Sequence, residues 1–319
     1  MFHQSHRIPL ARTASLLLGL AAAMSLVTGC CSVPPEHQNQ KAFESSESAV
    51  KALAAAVKGR NSEELLAIFG PQGKEILSSG DPVADRHNQE VFLVALEQNW
   101  TLLDKTGDTK ELVIGHDQWP FPIPLVKECY GWRFNTDAGK AEVVARRIGR
   151  NELAAIGVCQ TYVAAQKEYA KEGRDGKAAG LYAQKVRSEP GKQDGLYWPT
   201  ANPGEKRSPL GDLAAQAESE GYTPAPKGAP KPFRGYVFRI LTQQGKDAKG
   251  GAKSYLANGD MKEGFALIAY PAEYGNSGIM TFIVNQDGAI HETDLGPDTL
   301  KIAGEIKEFN PDARWQLVD

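Results

Sequence analysis

From Thr13 to Gly29 the chain carries no charged residue, and the stretch holds the run Leu16-Leu17-Leu18-Gly19-Leu20-Ala21-Ala22-Ala23-Met24. Arg7 and Arg12 precede it as a short positive region. The apolar run is too short, with the wrong flanks, for a spanning helix, and it predicts a secretory signal over residues 1–29. This feature constrains everything after it, because an exported chain folds in an oxidising compartment. No later apolar stretch is long enough to span a bilayer, so the remainder is read as a soluble body.

The signal ends at Leu26-Val27-Thr28-Gly29-Cys30, which resembles the bacterial lipobox. That resemblance implies that Cys30 becomes the first mature residue and carries lipid on its sulfur and amino group. Several buried acyl chains hold a protein at a membrane far better than one. In the sorting pattern of Gram-negative lipoproteins, Cys31 in place of Asp implies the outer membrane. The alternative is ordinary cleavage nearby, with Cys30 and Cys31 as bystanders. Residues 30–42 are polar and proline-containing, and they read as a flexible lipidated tether.

Without Arg7 and Arg12 the full chain's 36 Lys and Arg fall to 34, against 39 Asp and Glu, for a net charge of −5 from Cys30 onward. The basic residues are scattered, which argues against a nucleic-acid partner. The expected partners are the membrane, through the lipid anchor, and a second envelope protein. Cys129 and Cys159 are the cysteines of the folded part, and they form a candidate disulfide that the compartment permits. The alternative is two small buried hydrophobes. There is no Cys-x-x-Cys, His-x-x-x-His or His-Glu-x-x-His, so neither a metal nor a cofactor is expected.

The pattern predicts an α+β chain in two parts, over 43–148 and 149–319. In the first, Ser46 or Ser48 caps a helix ended by Gly59, Asn61 caps a second, and a longer helix covers Asp85 to about Leu103. Short strands at Glu111–Gly115, Ile123–Lys127 and Gly131–Phe134 then form a small antiparallel sheet. This order is similar to cystatin or nuclear-transport-factor-like folds, a fold-level analogy that carries no function. Arg146-Arg147-Ile148-Gly149-Arg150 reads first as a solvated helix end and linker, and second as a contact for phosphate or a lipid headgroup. The second part opens with a helix capped by Asn151 and running to about Ala170. A Gly- and Pro-rich middle follows from Gly173 to Pro232. Strands are expected around Tyr236–Ile240, Phe265–Tyr270 and Ile279–Asn285. A turn at Gln286-Asp287-Gly288, a helix from Pro297 to about Lys307 and a last strand at Trp315–Val318 complete the chain.

Two resemblances extend this reading. Asn151-Glu152-Leu153-Ala154-Ala155-Ile156, with Ala165-Gln166, Tyr169-Ala170 and the phrase Gly278-Ile279-Met280-Thr281-Phe282, resembles pilin and pseudopilin globular heads. That implies a long helix packed on an antiparallel sheet. The lipobox and the preceding part replace the filament-forming pilin helix, so a filament subunit is not implied. From Phe43 to Val318 the chain resembles an uncharacterised family of exported bacterial proteins, domain-of-unknown-function family twenty-nine fifty. The phrases that carry this include Trp119-Pro120-Phe121-Pro122-Ile123-Pro124, Gly195-Leu196-Tyr197-Trp198-Pro199 and Pro271-Ala272-Glu273-Tyr274-Gly275. The family implies no catalytic residues.

No catalytic constellation stands out. Gly275-Asn276-Ser277-Gly278 is not Gly-x-Ser-x-Gly, since position 279 is Ile. The leading expectation is therefore an envelope lipoprotein that binds or scaffolds another component. Its candidate surface is Tyr197, Trp198, Glu273, Tyr274, Asp294 and Asp298, chosen because aromatic residues grip partners; a satellite core is the blander reading. One alternative is a hydrolase using Glu273, Asp294 or His291. A third reading is a small apolar ligand held in the first part, in a closed pocket lined by Trp119, Phe121 and Trp132.

Overall fold

The computed structural model describes residues 32–200, 205–223 and 231–318. The signal, Cys30 and Cys31 lie outside the described residues. The chain is α+β, with two hydrophobic cores joined by one long helix.

The first core is built by local rules. In α1 (Ser46–Lys58), Ser45 and Ser48 exchange side-chain and backbone hydrogen bonds in a capping box. Ala49, Val50, Leu53, Ala56 and Val57 then fall on one buried stripe. The Asn61 side chain accepts from Glu64 N to start α2 (Ser62–Phe69), and Gly70 ends it at φ 74°. After the short α3 (Gly73–Leu77), Asp81 accepts from Val83 N and Ala84 N to start α4 (Pro82–Gln98), with Pro82 in the first turn. The helix stops five residues earlier than the sequence pattern suggests. Trp100 to Thr106 instead forms strand β1, paired antiparallel with β2 (Thr109–Ile114) in the register Trp100↔Ile114. Strand pairing overrides a weak helical pattern there. The two-residue β3 (Trp119–Pro120) also pairs with β2, while β4 (Leu125–Glu128) and β5 (Gly131–Phe134) complete the sheet in the order β1-β2-β4-β5.

The segment expected to be a flexible tether is docked from its described start. His37 bonds the Tyr130 hydroxyl, Gln40 Nε2 donates to the carbonyls of Ile68 and Phe134, and Lys41 N donates to Ala67 O. These bonds satisfy backbone carbonyls that the helix and sheet ends leave open, and a loose tether could not supply them.

Helix α5 (Thr136–Tyr169) has 34 residues, about 50 Å at 1.5 Å per residue. The Asn135 side chain caps it through Ala138 N. The sequence reading placed this helix start at Asn151. In the structure Asn151 is inside the helix, and its Nδ2 donates to Ser277 O. The boundary expected between Ile148 and Gly149 likewise falls within α5. Gly139 explains how the first half packs: a Cβ there would overlap the Pro122 carbonyl oxygen and Ile123.

The second core packs the other half of α5 on a five-stranded antiparallel sheet. Before it come the middle segment and α6 (Gly211–Ser219). The sheet starts with β6 (Tyr236–Leu241). Two small ribbons follow, β7 (Gln243–Gln244) with β8 (Lys253–Ser254), and β9 (Leu256–Ala257) with β10 (Asp260–Met261). Then come β11 (Ala266–Pro271), β12 (Met280–Asn285), β13 (Ile290–Asp294), α7 (Thr299–Glu305) and β14 (Gln316–Leu317), in the sheet order β14-β13-β12-β11-β6. All of β11 is buried, which its unbroken apolar run anticipates. Gly288, at φ 86°, turns β12 into β13.

Cys159 lies in this second core as a free, fully buried thiol. The expected Cys129–Cys159 disulfide is therefore not formed. Cys159 faces the second core from α5, whereas Cys129 is an exposed residue just after β4.

Candidate functional site

A cavity of about 730 Å³ opens into the first core between α4, α5 and the β3–β4 connection. Its volume lies in the range of small-molecule sites, roughly 300–1,000 Å³. The floor is apolar and buried: Leu53 of α1, Leu65 and Phe69 of α2, Ile114 of β2 and Ile123. Phe121 stands at the centre of a ring cluster, 5.2 Å from Phe92, 6.2 Å from Phe134 and 6.5 Å from Trp119. The wall given by α4 is Asn88, Gln89, Val91, Phe92 and Ala95. This wall explains why α4 buries so little: Leu96 is its single fully buried residue, and Val91 is 56% exposed. A helix that faces a cavity shows apolar residues where a packed helix hides them.

The rim is polar and mostly cationic. Arg146, Arg147 and Arg150 project from one stretch of α5, against a single lining carboxylate, Asp85. Arg147 is buried and tied down: it donates to the carbonyls of Glu75 and Ile76 and to Asn276 Oδ1. Asp85 accepts from Ser79 N at 3.0 Å and from its hydroxyl at 2.6 Å. Burial pushes the Asp85 carboxyl above its ordinary range, opposed by those two hydrogen bonds and by the charge of Arg147. Arg146 pairs with Glu142 at 2.7 Å and lies over the Trp119 ring, 5.2 Å from its centroid. Among the described residues Arg150 makes no hydrogen bond or ion pair. Asn88 and Gln89, across the opening on α4, are likewise unbonded through their side chains.

The titratable groups of the lining are one Asp and three Arg. Without a His, Cys, Ser, Lys or second carboxylate there is no nucleophile beside a base and no acid–base pair. Among the described residues no group of three or more His, Cys, Asp and Glu could hold a metal ion. No helix among them is long and apolar enough to cross a membrane.

The surface residues expected from the sequence lie elsewhere and do not converge. Trp198 is a core residue, 6% exposed and covered by Arg174, whose guanidinium is 4.9 Å from its ring and 5.1 Å from Tyr169. It presents no surface to a partner. Tyr197 is half-buried, bonded to Glu218 and overlaid by Arg187. Tyr274 and Asp294 do meet, hydroxyl to carboxylate at 3.2 Å. Glu273 bonds Asn276 Nδ2 at 3.1 Å, and Asp298 is exposed before α7. His291 packs against Phe309, and burial lowers its pKa below the ordinary imidazole value. None of these residues lines the cavity. None lines a smaller cleft of about 370 Å³ beside α7 either. Among the described residues, neither cleft brings Glu273, Asp294 and His291 together, as the hydrolase alternative requires.

The pocket expected as the third reading has a counterpart here. Trp119 and Phe121 line it, but it opens to solvent instead of being closed. Trp132 is absent from the lining, because its backbone pairs with Phe43 in the core. Sequence reasoning missed the α4 wall, and it singled out the run Arg146 to Arg150 without placing it at a cavity mouth. Two signals were available: the run Val91-Phe92-Leu93-Val94 is too wide an apolar face for a helix packed on one side, and Arg146 and Arg150 lie one turn apart on a helix.

A family model described as protein of unknown function (DUF2950) matches residues 40–318. The chain belongs to this family. The matched span contains both cores, α5 and every residue lining the cavity. No curated protein and no solved structure matches the chain, so the likeness to pilin heads carries no further argument.

Proposed function

We propose that this protein is an exported, lipid-anchored envelope protein that holds a small apolar or amphipathic molecule in the cavity of its first core. The observation that carries the reading is the joining of an apolar floor to an open polar rim in a volume suited to one small ligand. The lipobox-like Cys30 supports a site held near a membrane, where such molecules are plentiful.

The test is a titration of the neutral fluorophore N-phenyl-1-naphthylamine into the wild type and Ala95→Trp. Ala95 is partly buried on the cavity wall, so a larger side chain there projects into the cavity, and a thermal melt checks that the variant folds. Saturable binding at one site per chain, weakened at least tenfold in the variant, supports the reading. Equal binding by both proteins, or none by either, contradicts it. The anchor is tested separately: Cys30→Ala should move the protein from the membrane fraction to the soluble fraction.

A further inference from the structure

Resting on that reading of the cavity, we infer that its ligand is a single-chain amphiphile with an anionic head, a carboxylate or a phosphate monoester, whose charge is taken by Arg150 beside Arg146.

The argument is a comparison of three neighbouring cations. Arg147 is spent on structure, since its guanidinium is buried and bonded to two carbonyls and an amide oxygen. Arg146 is half spent, paired with Glu142 and lying over Trp119, with one further bond to Pro120 O. Arg150 has no partner among the described residues, although it stands one helical turn from Arg146 and repels it. Two cations on one helix face cost stability unless something between them is negative. Nearby acids do not fill that place: Glu142 faces Arg146, Asp85 is held by Ser79, and Glu75 is paired with Lys140. The three arginines and Asp85 leave the lining with a net charge of +2. Asn88 and Gln89 add uncommitted amide donors across the opening. Guanidinium and amide donors at the mouth of an apolar cavity match an acyl chain pointing inward with an oxyanion outward. A cationic head would meet Arg150 directly, and a neutral head would leave it unpaired.

The experiment displaces bound N-phenyl-1-naphthylamine at pH 8 with four probes of equal chain length. These are dodecanoate, dodecyl phosphate, dodecanol and dodecyltrimethylammonium. They are applied to the wild type, Arg150→Gln and Arg150→Lys. Because Arg150 makes no internal bond, both variants should fold as the wild type does, which a thermal melt checks. The expected result is that at least one anion binds about tenfold tighter than dodecanol. The cation should bind weakest. The anion preference should fall to about twofold in Arg150→Gln and largely return in Arg150→Lys. Raising salt should narrow it. Preference for the carboxylate or for the phosphate identifies the head. If dodecanol or the cation binds as well as both anions, the headgroup inference is overturned while the cavity reading stands. Should the fluorophore itself fail to bind, the cavity reading fails and this inference with it.

Discussion

The two cores sit on the same helix and solve opposite problems. Around β11 and β12 the apolar side chains are buried against one another, and most buried polar groups are paired, the Thr281 hydroxyl of β12 being an exception. Gln166, fully buried, donates to the Tyr162 hydroxyl and Ala183 O and accepts from Ala183 N. Around α4 the same kinds of side chain face an open volume, and Asn88, Gln89 and Arg150 at its edge make no side-chain hydrogen bond or ion pair among the described residues. The second core is organised for packing, and the first gives up packing along one wall. A protein interior is normally filled to crystal-like density, so an unfilled wall beside a full one is what the proposed ligand site requires.

The contrast can be broken most forcefully by cutting a large side chain from each core. Phe282→Ala in β12, where the ring is fully buried, should cost about 3–5 kcal/mol. Phe92→Ala on the cavity wall should cost about 1 kcal/mol, because part of its surface already faces open space. Denaturant unfolding of the pair measures the gap. Equal losses would mean that the wall is packed after all.

Alkali should separate the regions next. Burial raises the phenols of Tyr162 and Tyr236 far above the ordinary tyrosine range, and raises Tyr255 and the Cys159 thiol to about 12. All four belong to the second core. Unfolded, the thiol and phenols ionise near pH 8.5 to 10. Between those values and pH 12 the unfolded chain binds fewer protons than the folded one, so stability falls as pH rises. Below pH 8.5 this contribution is fully present. Melting temperatures should therefore be level to about pH 9 and drop steeply beyond it, with alkylation of Cys159 appearing only as the chain unfolds. Rapid alkylation of Cys159 at pH 8 in the native protein would contradict its burial.

A smaller effect sharpens the polar side of the comparison. Gln166→Leu removes three hydrogen bonds and strands the backbone of Ala183, at a cost of about 1–3 kcal/mol. Arg150→Gln should change stability by less than about 0.5 kcal/mol, since among the described residues Arg150 makes no hydrogen bond or ion pair. A loss at Arg150 as large as at Gln166 would show that the arginine serves the fold.

Much of the first region was legible because its signals are local. The Asn61 cap and the Gly59 and Gly70 stops need only near neighbours in sequence. The first half of α5 was not legible for the same reason. Residues Thr136 to Arg150 carry Gly139, Gly149 and three arginines, and the buried stripe shifts as the helix passes from one core to the other. One periodic pattern cannot describe a helix that serves two sheets. The cavity was legible only in outline. Trp119 and Phe121 marked its place, but Leu53 and Ile114 are the same residue types whether they pack on a side chain or line a void. The aromatic Trp198 misled for the converse reason, because an arginine lying over its ring turns a sticky surface residue into core.

Hydrogen exchange with and without dodecanoate tests the central claim most directly, because it reports both regions in one sample. The account predicts that amides of α4, over Pro82–Gln98, and the Arg146–Arg150 turn of α5 exchange more slowly with the ligand, while β11 and β12 do not change. Protection spread over the second sheet, or no change at α4 under saturating ligand, would contradict it.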